Sequence, residues 1–208
     1  IGPGEMTPAA AKWAEMLKAR GISLETAERN GLAVQHVYSP ASGGYVDALC
    51  FPYMRDGELI NIKYRGPDKT FWQVKDAEKI LYGLDDVVGE EEVILVEGEM
   101  DKLALEEAGF KNVVSVPDGA PGKVRDGPTP APEEDKKYEY LWNCRAQLDS
   151  ISRFVIAADS DGPGQALSEE LARRLGKERC WKVSWPEGCK DANEALQKEG
   201  VDTVRECL

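Results

Sequence analysis

Three groups of acidic residues follow apolar stretches of the sequence and could bind a metal ion. Glu97 comes directly after the run VILV, and Asp159 and Asp161 come after FVIAA. Asp191 belongs to a third group, KDANE, which follows the segment CWKVSW. Carboxylates this close together raise each other's pKa unless a cation lies between them. Hard oxygen ligands without thiolate or imidazole favour Mg²⁺ or Mn²⁺.

Parallel strands are the elements that must bring these acids together. From residue 92 onward, the apolar runs EVILV, NVVSV, RFVIA and CWKVSW alternate with amphipathic segments. This alternation predicts an α/β fold in which helices cover both faces of a parallel sheet. Sites in such sheets form at the carboxyl ends of the strands. The ordered patterns E-G-E-x-D, D-x-D-G and K-D-A-N-E therefore predict one metal site, in preference to three ordinary turns.

Local geometry gives further expectations for the first two acidic groups. Residues two apart on an extended backbone point to the same side, so Asp159 and Asp161 are expected to face one ion. Gly98 follows Glu97 and Gly162 follows Asp161. Both glycines are expected to permit close backbone turns. Further acidic candidates are Glu99 and Asp101, and Asp101 has the alternative role of capping or bracing a helix.

The first part of the chain has a different pattern. TPAAAKWAEMLKARG and SLETAERNG predict two helices, with Thr7 and Ser23 as N-caps. LAVQHVYS, YVDALCFPYM, ELINIKYR and TFWQV predict four strands. We therefore expect a small α+β unit over residues 1–86 and the parallel sheet over residues 87–208. The Pro-rich segment 118–138 has no periodicity, which fits either a functional or mobile loop or a tolerated surface insertion.

Basic side chains lie on and after the third predicted strand. Lys63 and Arg65 share one strand face, and Lys69 stands in the next turn. These three residues are expected to contact a nucleotide or a nucleic-acid template, although lysines also protect strand edges from pairing. Lys190 precedes Asp191 and could pair with the carboxylates or contact phosphate.

Composition limits the possible functions. The 208 residues carry a formal net charge of −12, which excludes a general basic nucleic-acid binder and restricts such contacts to a local basic patch or bridging metal ions. The basic residues of segment 173–179 are expected to form a solvated helix end. The five cysteines form no CxxC pair and His36 is the single histidine, which argues against structural zinc. The odd number of cysteines and their mostly apolar surroundings favour reduced thiols inside the cell. No apolar run approaches the ~20 residues of a membrane span.

Several segments resemble a known family. VILVEGEMDKLALEEAGF and FVIAADSDGPGQALSEELARRL are similar to the Toprim domain shared by primases, topoisomerases and some nucleases. CKDANEAL and ELINIKYRGPDKTFWQVKDAEKILYGLDDV are similar to the primase half of phage-type primase–helicases and of Twinkle-like organellar proteins, particularly those of plants. The resemblance extends over nearly the whole chain from about residue 10.

The resemblance implies a DNA primase that makes short RNA primers from ribonucleoside triphosphates on single-stranded DNA. It implies that Asp159, Asp161 and Asp191 hold the metal and that Glu97 is a ligand or general base. Glu97, Asp159 and Asp161 are then the catalytic set. The implied partners are a helicase module or other replisome proteins, and the implied location is the mitochondrion, the plastid or both.

Two other functions stay open from the sequence. One is a Toprim nuclease or strand-cutting enzyme, which would require a tyrosine nucleophile from a partner domain if it formed a covalent intermediate. The other is a catalytically weak module that binds single-stranded DNA, although the intact acidic set argues against such decay. The sequence contains neither the zinc-module cysteine spacing nor a GxxxxGK[ST] helicase motif, which fits either a fragment or a short relative.

Overall fold

Two four-stranded sheets organise the chain in the computed structural model, which describes residues 1 and 6–208. The first sheet is antiparallel and has the order β1-β2-β3-β4. Its strands are β1 (Ala33–Ser39), β2 (Gly44–Arg55), β3 (Glu58–Arg65) and β4 (Phe71–Gln73). The second sheet is parallel and has the order β6-β5-β7-β8. Its strands are β5 (Glu92–Val96), β6 (Val113–Ser115), β7 (Arg153–Ala157) and β8 (Cys180–Lys182).

Eight α-helices connect and flank the sheets in the described part of the chain. They are α1 (Pro8–Ala19), α2 (Leu24–Arg29), α3 (Glu99–Glu107), α4 (Glu139–Trp142), α5 (Arg145–Leu148), α6 (Gly162–Leu175), α7 (Ala192–Glu199) and α8 (Val201–Cys207). The first two begin where the sequence predicts, because Thr7 and Ser23 each accept a backbone N–H with the side-chain hydroxyl. Short 3₁₀ turns occupy parts of the remaining connections.

The parallel sheet confirms the predicted α/β fold class. Strands β5 and β7 lie in its middle, and nearly every residue of both is buried. Strands covered on both faces require continuous apolar runs, which is the pattern seen in the sequence. Buried residues of both sheets form one hydrophobic core, in which Tyr53 of β2 packs against Tyr82. The boundary near residue 86 stays a prediction.

The segment between the two sheets is fixed by a glycine and a buried lysine. Gly83 has a φ of +84°, and a Cβ there would lie 2.8 Å from Cε of Lys102 and 2.9 Å from the carbonyl oxygen of Val113. Lys102 is fully buried and donates to Asn30 Oδ1 at 2.5 Å and to Asp86 Oδ2 at 2.6 Å. This ion network ties α2 and the connecting segment to α3.

The Pro-rich segment 118–138 is anchored to α6 by buried charges. Arg174 donates to Asp135 and Glu170, each at 2.6 Å, and its side chain is only 1% exposed. The backbone N–H of Arg125 also donates to Glu170. The prediction of a solvated helix end over residues 173–179 was therefore wrong for Arg174, because its carboxylate partners come from α6 itself and from a distant segment that periodicity does not predict.

Two further expectations concern thiols and membranes. All five cysteines are free, which agrees with the expectation of reduced thiols. In the part of the chain that the structure describes, no helix combines the length and the apolar character required to cross a bilayer.

Candidate metal and nucleotide site

Acidic residues converge at the carboxyl edge of the parallel sheet. Strands β5 and β7 are neighbours in register, with Val96 opposite Ala157, so the residues that follow them meet at one place. The carboxylates of Glu97, Asp159 and Asp161 each offer an oxygen, and these oxygens lie within 4.8 Å of one another. The sequence predicted these three residues as one set, and the fold brings them together.

A second acidic group overlaps the first. Carboxylate oxygens of Asp101, Asp159 and Asp191 also lie within 4.8 Å of one another, so Asp159 belongs to both groups. Asp191 thus lies beside Asp101 and Asp159. The sequence gave Asp101 only a secondary place, yet its side chain is buried in the acidic cluster.

Loops and helix caps set the directions of these carboxylates. Strand β7 ends at Ala157, so the expected strand alternation of Asp159 and Asp161 does not apply. Asp161 instead caps α6, where its Oδ1 accepts the N–H of Gly164 at 2.8 Å. Asp191 caps α7 in the same way, accepting the N–H of Glu194 at 2.8 Å. Each cap leaves the second carboxylate oxygen free for another partner.

One glycine is essential to this loop, and it differs from the two expected. A Cβ on Gly164 would lie 2.0 Å from the carbonyl oxygen of Asp159, so only glycine fits without moving the acidic loop. Gly162 has open space around its α-carbon, and Gly98 has an extended φ of −139° that any residue adopts. The expectation that Gly98 and Gly162 permit close backbone turns was wrong, because neither position requires glycine. The close contact is at Gly164, where the start of α6 meets the loop after β7.

Burial and mutual repulsion raise the pKa values of the clustered carboxyls. Burial, followed by the charges of Glu97 and Asp191, raises the pKa of Asp159 to about 7. Burial is also the main cause of the shifts at Asp101 and Glu97. It raises the pKa of Asp101 well above its usual range, and it raises the pKa of Glu97 as well. A divalent cation would relieve both effects by compensating the negative charges, so the donor set fits a hard ion such as Mg²⁺.

Lys190 lies beside the first acidic group. Its Nζ atom is 3.6 Å from Oδ2 of Asp159 and 3.6 Å from Oδ2 of Asp161, and the side chain is about half exposed. The nearby Asp159 carboxylate raises the pKa of Lys190. Lys190 therefore stays charged and can form an ion pair either with the carboxylates or with a bound phosphate.

The basic residues of β3 share one face but have different surroundings. Nζ of Lys63 forms an ion pair with Oε1 of Glu99 at 2.9 Å and donates to the carbonyl oxygen of Pro117 at 2.8 Å. Arg65 is only 7% exposed, and no carboxylate of the described residues lies within ion-pair distance of its guanidinium. Burial lowers the pKa of Arg65. An unpaired buried guanidinium is suited to an anionic ligand, since burial of a charge without a partner is costly.

An aromatic ring, that of Phe71, lies beside the two basic residues of β3, and the exposed Lys69 lies in the turn that follows this strand. Lys63 and Arg65 each lie 5.4 Å from the ring centre of Phe71, which is half exposed. Lys69 is exposed in the turn between β3 and β4 and has a φ of +65°.

Arg20 is a cation of this region that sequence reasoning missed. It ends α1, and its charge adds to the lowering of the pKa of Arg65. Its carbonyl oxygen accepts Nδ2 of Asn193 at 2.9 Å, and the backbone N–H of Asn193 donates to Oδ1 of Asp101 at 3.1 Å. Asn193 thereby connects the end of α1 with the acidic cluster. No sequence pattern relates Arg20 to a site more than 70 residues away.

The fold and the acidic edge define a parallel α/β domain of the kind that holds divalent metal ions. Residues 91–184 match the Toprim domain model, and this part of the chain is a Toprim domain. The flanking antiparallel sheet lies outside that match.

Similarity to known proteins extends over nearly the whole chain. The chain is 48% identical over 209 residues to the Twinkle homolog protein, chloroplastic/mitochondrial, of Arabidopsis thaliana. The alignment covers 98% of this chain and 29% of that relative. The chain is 49% identical over 199 residues to the Primase homolog protein of the same plant, covering 93% of this chain and 57% of that relative. The chain thus spans 29% of the length of the Twinkle homolog and 57% of the length of the Primase homolog.

A solved structure with the same fold is the primase fragment of the bacteriophage T7 primase-helicase protein. The two chains superpose with a TM-score of 0.73 at 26% sequence identity, covering 92% of this chain and 72% of the phage chain. Both sheets of the present structure therefore have counterparts in a known primase fragment.

Proposed function

We propose that this chain is the catalytic core of a DNA primase, which joins ribonucleotides into short RNA primers on single-stranded DNA. The observation that carries the proposal is the convergence of Glu97, Asp159 and Asp161 at one sheet edge. Similarity to a plant primase homolog and to a phage primase fragment supports it.

The acidic residues provide the metal-binding part of the proposed site. Glu97, Asp159 and Asp161 form the catalytic set, and Asp191 completes the metal ligands together with Asp101, which was a secondary candidate in the sequence. A bound Mg²⁺ or Mn²⁺ would lower the pKa of the attacking 3′-hydroxyl and neutralise charge on the leaving pyrophosphate. Glu97, whose pKa is raised by burial, is suited to accept the hydroxyl proton or to serve as a ligand.

The basic residues bind the phosphates in this proposal. Lys63, Arg65, Lys69 and Lys190 contact the triphosphate or the template, and Arg20 adds a fifth cation. The unpaired state of Arg65 supports this role, because a nucleotide phosphate would supply the counter-charge that the described residues lack. A local basic surface of this kind is compatible with the net charge of −12.

The wider biological setting follows from the relatives. The phage relative is a primase-helicase, so we propose a helicase module or other replisome proteins as partners. The Twinkle relative is described as chloroplastic/mitochondrial, so we propose an organellar location.

A primer-synthesis assay tests the function. The protein is incubated with single-stranded DNA, ribonucleoside triphosphates and Mg²⁺ or Mn²⁺, and products are separated on a sequencing gel. Short RNA from the wild type but not from the Asp159→Ala/Asp161→Ala variant supports a primase. Metal-dependent cleavage of the DNA identifies a nuclease, and DNA binding that is unchanged in the variant and gives no product identifies a binding module.

A further inference from the structure

Glu99 differs from the other acidic residues of the edge in its contacts. It is the first residue of α3, only 4% exposed, and it belongs to neither acidic group that could hold a metal ion. Its Oε1 accepts the hydroxyl of Tyr53 at 2.6 Å and lies 2.9 Å from Nζ of Lys63. The carboxylate thus contacts two residues of the antiparallel sheet.

Two acceptors hold the Lys63 ammonium in place. The carbonyl oxygen of Pro117 accepts one of its three N–H groups, and Oε1 of Glu99 forms an ion pair with Nζ at 2.9 Å. Among the described residues Nζ has no other hydrogen-bond acceptor and no other carboxylate partner. The Lys63 side chain is 13% exposed, so this remaining donor is accessible to a ligand on the face shared with Arg65 and Phe71.

The two oxygen atoms around Lys63, Oε1 of Glu99 and the carbonyl oxygen of Pro117, are themselves held by further hydrogen bonds. Tyr53 is fully buried in the core, and burial, reinforced by Glu99, raises its pKa well above the usual range, so its hydroxyl remains a donor. Pro117 lies two residues after the end of β6, and its carbonyl oxygen also accepts an N–H of Gln73 Nε2 from β4 at 3.3 Å. A lysine held between a core tyrosine–glutamate pair and a strand-end carbonyl loses little further side-chain entropy when it binds a ligand.

We propose that Glu99 is a positioning residue, which holds Lys63 so that its free N–H points at a phosphate of the incoming ribonucleoside triphosphate. This rests on the primase function proposed above. Glu99 therefore acts on nucleotide binding through Lys63, and it contributes nothing to metal binding.

The test compares Glu99→Gln, Lys63→Met and the double variant in primer synthesis. Glu99→Gln is expected to raise the nucleotide KM about tenfold with little change in kcat, as for one misdirected charge-assisted hydrogen bond. Lys63→Met should raise KM at least as much, and Glu99→Gln should add nothing in the Lys63→Met background. Independent, additive effects or a lower KM in Glu99→Gln would overturn the proposal.

Metal binding separates positioning from ligation. Titration with Mn²⁺ alone should give the same affinity for Glu99→Gln and the wild type, whereas Asp159→Asn should bind more weakly. A loss in Glu99→Gln that equals the loss in Asp159→Asn would make Glu99 a metal ligand and refute the positioning role.

A matched control and a chemical readout complete the design. Glu106 is a buried, ion-paired carboxylate on the same helix, so Glu106→Gln controls for general destabilisation and should keep the wild-type KM. Acylation of Lys63 by acetic anhydride, followed by mass spectrometry, should be several-fold faster in Glu99→Gln than in the wild type or Glu106→Gln. This readout needs no activity, so it tests the positioning even if the wild type makes no RNA, and an unchanged rate would count against it.

Discussion

The backbone N–H of Asp159 donates a 3.1 Å hydrogen bond to Oε2 of Glu97. This contact ties the loop after β7 to the residue after β5, so the two acids cannot separate without breaking it. One oxygen of Glu97 is thereby oriented, and the other is left for a cation or a proton. The arrangement gives the carboxyl edge a fixed geometry before any ligand binds, which is the requirement for electrostatic preorganisation.

Asp159 belongs to both acidic groups, so we expect its loss to affect all metal binding. Asp159→Asn should weaken Mn²⁺ binding at every site, whereas Glu97→Gln and Asp191→Asn should each weaken one class of site by at least about tenfold. Isothermal titration with Mn²⁺ measures this directly. Equal effects of all three substitutions on a single binding event would show that one ion is shared by the whole cluster.

The raised pKa of Asp159 predicts a pH-dependent stability in metal-free protein. Its pKa rises from 3.8 in the unfolded chain to about 7 in the folded one, so the folded state binds the proton more tightly. The free energy of unfolding should therefore fall as pH rises from about 4 to about 7, because the unfolded state releases the proton first. Urea unfolding in EDTA measures it, with Asp159→Asn as the reference.

The difference between wild type and Asp159→Asn measures the titration of Asp159 together with its charge coupling to Glu97, Asp101 and Asp191. The variant should gain stability relative to wild type as the pH rises to 8, and adding Mg²⁺ at pH 8 should remove that advantage, because the ion binds the folded wild type. A wild-type-to-variant difference that does not change between pH 4.5 and pH 8 would contradict the prediction.

Gly164→Ala should disturb the acidic loop, because the new Cβ would lie 2.0 Å from the carbonyl oxygen of Asp159. We expect a stability loss of about 1–3 kcal/mol, typical of overpacking, together with weaker Mn²⁺ binding. Gly162→Ala is the matched control, since open space surrounds that residue and the variant should retain metal binding. Thermal unfolding and Mn²⁺ titration of both variants check the prediction, and equal behaviour would refute it.

Arg65 and Arg174 both have buried side chains, and among the described residues Arg174 has carboxylate partners whereas Arg65 has none. Arg174→Met should cost about 3–5 kcal/mol of stability, because it leaves buried carboxylates unpaired. Arg65→Met should change stability by no more than about 1 kcal/mol, since it removes no ion pair that the described residues form.

Binding should show the reverse order. Arg65→Met should weaken nucleotide or single-stranded DNA binding about tenfold through the loss of a charge-assisted hydrogen bond, whereas folded Arg174→Met should bind as the wild type does. Urea unfolding and fluorescence anisotropy with a labelled oligonucleotide measure the two properties. A large stability loss in Arg65→Met would show that the guanidinium serves the fold.

Much of the fold was predictable because its signals are local. Periodicity and capping residues define helices and strands within a few turns of chain, as at Thr7 and Ser23. The positions of Glu97 and Asp159 at strand ends followed from the same patterns, since parallel strands bring their carboxyl ends to one edge. The sequence by itself thus determined the α/β class and the acidic edge.

The tertiary structure decided which side chains meet there. The pairing of Asp101 with Asp191, the approach of Arg20, the burial of Arg174 and the contact of Glu99 with Lys63 all join residues more than 30 positions apart. Such contacts depend on how helices pack against sheets and on where loops cap, and no periodicity records either. Local sequence therefore placed the acids at an edge, and non-local packing divided them between the two acidic groups and the ion pair of Glu99 with Lys63.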